Sequence, residues 1–139
     1  MSEPVCIGDA GPLVDFLVPE SEHHEWVRQL VMRLPSPLLT CEPVLAEAAH
    51  LVRRKTGGIE ALLELIESRS IEISFALQVE SDAVSSLIRR YRDVPMSLAD
   101  ACLVRMAEIR GLPICTLDSH FTVYRKHGRD PLAVISPAR

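Results

Sequence analysis

The chain has 139 residues, of which 24% are charged, and its 19 Asp and Glu against 15 Lys and Arg give a formal net charge of −4. A chain of this length buries roughly 68–70% of its unfolded surface, so a single domain over residues 1–139 is expected, with no need of disulfides or a structural metal. The charge excludes a binder that grips nucleic acid by overall basicity, the 4% aromatic content is too low for a row of base-stacking platforms, and no apolar run nears the roughly 18 residues of a membrane span.

In chain order, residues 5–8 read as a short buried strand, and D-A-G-P at residues 9–12 turns the chain into an apolar run ending at Leu17. Residues 22–34 have helical spacing and stop at Pro35 and Pro37. Residues 38–41 are apolar without a clear period. Pro43 then suits the first turn of a helix running to about Lys55, with Gly57 and Gly58 ending it. A helix follows over residues 59–68, a strand over 71–75, where β-branched residues alternate, and a helix over 79–92. Ser97 opens the best-marked helix, which closes at Gly111 with Pro113 beyond, and residues 112–116 and 133–135 complete the strands. Strands alternating with helices imply an α/β fold with a mainly parallel sheet, whose strand C-termini share one ligand-binding edge. Asp9 and Asp118 both fall just past strands, on that edge.

Two further acids stand in costly places. Glu47 has Val44, Ala48 and Leu51 at i−3, i+1 and i+4, which sets it on or beside the apolar stripe of its helix, and Asp100 shares a face with Leu103, Val104 and Ala107. A buried carboxylate without a counter-charge costs several kcal/mol, and like-charged neighbours add to the cost. Four on one edge therefore call for a cation. Oxygen donors without His or Cys at ligand spacing favour a hard ion, Mg²⁺ or Mn²⁺, over zinc, and such an ion suits phosphodiester hydrolysis. Setting four carboxylates aside leaves 15 acidic against 15 basic groups. Simpler explanations also exist: Asp100 completes an S-x-x-D capping box with Ser97, Asp118 caps the short helix that follows it, and Asp9 is a turn residue. Glu47 has no comparable alternative.

The other polar residues are less specific. Cys6, Cys41, Cys102 and Cys115 lie in apolar runs without a C-x-x-C pair and read as buried, reduced thiols. Arg53, Arg54 and Lys55, and Arg89, Arg90 and Arg92, either hold RNA phosphates or acidic partner residues, or form solvated faces near helix C-termini. His23 and His24 diverge by about 100° as helix neighbours and read as surface residues. His120 is placed either to touch substrate or to pack in its loop.

Four segments carry a family resemblance: V-C-I-G-D-A-G-P-L-V at the N-terminus, L-L-T-C-E-P-V-L-A-E in the first third, M-S-L-A-D-A-C-L-V-R-M-A-E, and P-I-C-T-L-D-S-H-F near the end. In order and spacing they resemble the PIN domain, the fold of many small endoribonucleases including VapC-type toxins. The resemblance spans nearly the whole chain. It implies a three-layer α/β/α domain that cleaves RNA with Mg²⁺ or Mn²⁺. Its metal ligands and catalytic acids would be Asp9, Glu47, Asp100 and Asp118, with Asp9 and Asp100 the foremost ligands and Thr116 an auxiliary hydroxyl. It also implies a homodimer and an antitoxin that plugs the acidic cleft. One departure is Ala10 followed by Gly11, where many relatives carry Ser or Thr directly after the first Asp. The N-terminus lacks the basic, apolar pattern of a signal peptide, so a cytoplasmic location is expected. Two other readings stay open, a phosphoacceptor signalling domain and a non-catalytic PIN-like binding module; the first usually needs a lysine near the pocket, and the chain has only Lys55 and Lys126.

Overall fold

The computed structural model describes residues 3–34 and 37–138; Pro35, one of the two expected helix stops, lies outside them. Strands of two or three residues carry the sheet: β1 (Ile7–Gly8), β2 (Leu38–Thr40), β3 (Ile71–Ile73), β4 (Ile114–Cys115) and, after an outlying pair β5 (Arg125–Lys126) and β6 (Asp130–Pro131), β7 (Val134–Ile135). The helices are α1 (Ala10–Leu17), α2 (His24–Arg33), α3 (Glu42–Leu51), α4 (Gly58–Glu67), α5 (Leu77–Arg90) and α6 (Leu98–Arg110), with a 3-10 turn at Ser119–Thr122. No helix among the described residues is long and apolar enough to cross a membrane.

The five-stranded sheet has the order β3-β2-β1-β4-β7, with every neighbouring pair parallel. The first two crossovers step one way across the sheet and the third returns the other way past β1. Right-handed connections therefore send α1–α4 to one face and α5–α6 to the other. The contacts agree: α1 packs on α2, α3 and α4, while α5 packs on α6 and α6 lies against β1. This is the expected α/β architecture with a parallel sheet between helical layers.

β1 is central and its Cys6 and Ile7 are fully buried. Gly8 is a close-approach site, since a Cβ there would come within 2.7 Å of Leu38 Cγ on β2. Helix α6 is buried from Ala99 to Ala107 except at Arg105, where a surface helix would show a broad polar face, because it packs against β1, α3 and α5. All four cysteines are buried and free. Burial pushes the Cys6 thiol up to about 11 and the Cys115 thiol up to about 12, so both remain protonated near neutrality.

Several boundaries differ from expectation. Helix α3 ends at Leu51 instead of near Lys55, because the chain must double back into α4. Gly58 makes the reversal possible, since a Cβ there would sit 2.5 Å from the Val52 carbonyl oxygen. Of the ambiguous residues 38–41, the first three are strand β2 and Cys41 is the N-cap of α3, and the expected strand over 71–75 shortens to β3, an edge strand that buries only Ile71. The 3-10 turn has no hydrophobic period to announce it and is built on hydrogen bonds within the loop. The β5–β6 hairpin has none either, because its strands are two residues each and half-buried or exposed. His24 was expected on the open surface but is half-buried; its Nδ1 lies 2.8 Å from the Asp15 carbonyl and fastens α2 to α1.

Candidate active site

The geometry begins at the central strand. The register Gly8↔Cys115 sets the residues that follow, Asp9 and Thr116, side by side on the C-terminal edge of the sheet, and Asp9 N donates to the Cys115 carbonyl at 3.0 Å. Asp9 is the N-cap of α1 rather than a turn residue. Its Oδ1 accepts from Ala10 N at 2.7 Å and its Oδ2 from the Thr116 hydroxyl at 2.6 Å. Only 7% of Asp9 is exposed. Burial raises its carboxyl above the ordinary value; the Thr116 and Ala10 hydrogen bonds oppose that rise, and the charges of Asp100 and Asp118 add to it.

Asp100, 8% exposed, arrives from the opposite face of the sheet at the third position of α6. The capping box read from the sequence is present: Asp100 N donates to Ser97 Oγ at 3.0 Å and Ser97 N to Asp100 Oδ2 at 3.3 Å. The box does not compete with a place in the acid cluster. Oδ2 also accepts from the hydroxyl of fully buried Tyr124 at 3.0 Å, while Oδ1 has no protein partner among the described residues. Burial first, then the charge of Asp100 and the hydrogen bond to it, raise the Tyr124 hydroxyl above its ordinary value and keep it protonated.

Asp118 caps the 3-10 turn, its Oδ1 accepting from His120 N at 2.9 Å, and Thr116 Oγ1 accepts from Asp118 N at 3.0 Å. One threonine hydroxyl thus ties Asp9 to Asp118. The His120 ring Nδ1 lies 2.8 Å from Asp118 Oδ1, and since an ionised carboxylate only accepts, Nδ1 is the donor. Asp118 is partly open, with 39% of its side chain exposed.

Glu47 corrects an expectation: it is exposed on α3, not buried in its apolar stripe, because the core-facing direction is that of Val44 and Ala48, about 60° and about 100° round the helix from it. It still senses the cluster. Partial desolvation raises its carboxyl, and the charges of Asp9, Asp100 and Asp118 raise it further. The four acids therefore act on one another although they come from four separate segments, and among the described residues their only ion-pair partner is His120 on Asp118.

No group of three or more His, Cys, Asp or Glu side chains among the described residues is drawn tightly enough to cage an ion. The donor set fits an ion that keeps much of its water. Mg²⁺ is usually bound through one or two carboxylates with several waters retained, and Asp100 Oδ1 and the Asp118 and Glu47 oxygens without protein partners supply such contacts.

The basic residues singled out in the sequence stand apart from the acids. Arg53 donates to the His50 carbonyl in the turns after α3, and Arg89 donates to Ser86 Oγ at 3.2 Å near the end of α5. Arg54 and Arg90 are exposed on the same two segments. None of the four forms an ion pair or hydrogen bond with the carboxylates among the described residues. Tyr124 is the participant that the sequence did not disclose. It lies 24 positions from Asp100 outside any recurring pattern, and its ring is edge-on to Tyr91 and Phe121 at 5.1 and 5.3 Å.

A search of curated proteins gave no significant match. Among solved structures, the chain is similar to Mycobacterium tuberculosis VapC20, described as a sarcin–ricin-loop-cleaving toxin. The TM-score is 0.74 at 19% identity, over 85% of this chain and 93% of that one, a likeness of fold. The family model for the PIN domain matches residues 7–126, which takes in all four carboxylates, and the chain belongs to the PIN domain family.

Proposed function

We propose that this protein is an endoribonuclease that depends on Mg²⁺ or Mn²⁺ and acts as the toxin of a type II toxin–antitoxin pair in the cytoplasm. The observation that carries this reading is that Asp9 and Asp100, carboxylates brought in on opposite faces of the sheet, are both buried and near enough that, after burial itself, the charge of Asp100 raises the carboxyl of Asp9, as the charges of both raise that of Glu47. Such an arrangement is unfavourable for an empty protein and favourable for one that binds a cation.

Asp100 would hold the ion directly through its free Oδ1 and Asp9 through a lone pair left over beside the hydrogen bond that each of its oxygens accepts, and Asp118 and Glu47 would complete the set. A hard divalent ion held by these residues would supply Lewis-acid polarisation of a phosphoryl oxygen and a more acidic water for attack on the phosphodiester. The chain's own work is positioning. Thr116 and Ala10 N fix both oxygens of Asp9; Ser97 N and Tyr124 fix one oxygen of Asp100 and leave the other free; His120 fixes one oxygen of Asp118. Arg53, Arg54, Arg89 and Arg90 would hold RNA phosphates outside the cluster. By family likeness the partners are a second copy of the chain and an antitoxin, whose arginine in the acid cluster would stand in for the ion's charge.

Incubating purified protein with RNA, including a sarcin–ricin loop oligonucleotide, in Mg²⁺, Mn²⁺ or EDTA tests the reading. Cleavage should need the ion and vanish in Asp100→Asn. Full activity in EDTA or in that variant would refute it. Stable labelling of one Asp by acetyl phosphate without RNA cleavage would instead support the phosphoacceptor function.

A further inference from the structure

The β5–β6 hairpin forms a cationic unit with the end of α5. It is latched at both ends: Arg125 N donates to Tyr91 Oη at 2.7 Å, and His127 N to Glu108 Oε2 at 2.7 Å. At its tip His127 and Gly128 both have positive φ, 54° and 74°, and Arg129 N closes the turn on the Lys126 carbonyl at 3.2 Å. Histidine, like Asn and Asp, is among the side chains that tolerate this left-handed conformation, and here it holds an imidazole at the tip of the hairpin. Gly128 suits its positive φ, and the Arg90 guanidinium reaches across to lie against it.

Between hairpin and helices lies a cavity of about 360 Å³ lined by Ser86, Arg90, Glu108, His127 and Gly128 among others. Glu108 is already engaged, by His127 N and by Arg105 Nη1 at 3.3 Å. Among the described residues Arg90 has no carboxylate partner. Arg89, Arg92, Arg125, Lys126 and Arg129 lie on the same two segments, outnumbering Asp93 and Asp130, the latter 3.9 Å from Arg129, in a chain whose net charge is −4. The unit stands apart from the acid cluster but is joined to it through two rings, the Tyr91 that holds Arg125 packing edge-on against the Tyr124 that holds Asp100.

We propose that this cavity is an RNA-backbone site in which Arg90 and His127 hold a phosphate of the strand whose cleavage occurs at the acid cluster. The proposal rests on the nuclease reading above and adds where the strand is gripped. A guanidinium beside an open polar cavity suits a phosphate diester, and a local cationic surface supplies the attraction that overall charge does not.

The test uses full-length protein carrying Asp100→Asn, so that a fluorescein-labelled single-stranded RNA is bound without being cut, with anisotropy followed over a range of NaCl. Arg90→Gln should weaken binding several-fold and reduce the salt dependence of log K by about 0.7, the contribution of one phosphate contact on a single strand. His127→Asn keeps a residue that tolerates the turn and should weaken binding as well. In otherwise wild-type protein, Arg90→Gln should raise KM for long RNA with kcat preserved. Unchanged affinity and salt slope in both variants, with melting temperatures intact, would overturn the proposal. So would retained RNA affinity alongside lost affinity for a polyglutamate peptide, which would make the surface a dock for an acidic protein segment. If the parent protein neither binds nor cuts RNA, the nuclease reading itself falls and takes this one with it.

Discussion

Asp100 meets two demands with two different atoms. Its Oδ2 serves the fold, closing the capping box with Ser97 and receiving the Tyr124 hydroxyl, while Oδ1 stays open for a ligand. Asp100→Asn keeps an acceptor for the structural role and removes a negative charge. Cleavage should fall at least about a hundredfold, the scale on which single electrostatic groups act in active sites, with the melting temperature unchanged or higher. Parallel kinetics and thermal denaturation check both halves. Tyr124→Phe separates the roles the other way. The three-ring packing survives, but a buried carboxylate oxygen loses a donor, so urea denaturation should show a loss of about 1–3 kcal/mol. The aspartates were legible in the sequence because each sits where local rules single it out, after a strand or at a helix start. Tyr124 was not, because its contact depends on how the loop after β4 folds back over α6.

Helix α6 shows how far local signals reach. Ser97 at its start and Gly111 at its end, the latter in the left-handed conformation at φ 68°, fix both boundaries. Ser97→Ala removes the side-chain half of the capping box and should cost about 1 kcal/mol in chemical denaturation. Activity should fall as well, since the same box orients Asp100. A cost without any change in activity would mean that Tyr124 alone orients the carboxylate. At β1, Gly8→Val would force a side chain into Leu38 and should destabilise by about 1–3 kcal/mol, an overpacking effect visible as a lower urea midpoint. Helix α3 was misjudged at both its end and its Glu47 because heptad-like spacing does not say when a chain must turn back, nor which side of a narrow stripe faces solvent.

Across the whole molecule the acid cluster links stability to pH and to metal. The folded-state values of Asp9 and Glu47 lie above those of unfolded chains, so the stability attached to each is fully present below the unfolded carboxyl value of about 4 and is lost as pH rises through the raised folded value. In EDTA, wild type should therefore lose melting temperature relative to Asp9→Asn as pH climbs from about 4 towards neutrality. Mg²⁺ or Mn²⁺ should restore it at the upper end by mass action. A difference between the two proteins that is flat with pH would show that Asp9 carries no such burden. The net charge of −4 is then a poor guide to binding, because it averages a local acidic site with a separate cationic surface.

The sequence by itself determined the alternation of strands and helices, the parallel sheet, and the placement of Asp9, Asp100 and Asp118 at its functional edge. Strand ends, helix caps and the residues beside them are governed by short-range sterics and hydrogen bonding, which neighbouring residues encode. Only the tertiary structure decided which atoms of those acids are committed to the fold, that Tyr124 holds Asp100 and which carboxylate the Thr116 hydroxyl grips, that Glu47 stands at the surface, and that a hairpin closes on α5 and α6. These depend on contacts between segments tens of residues apart, and their partners are chosen by how the whole chain packs.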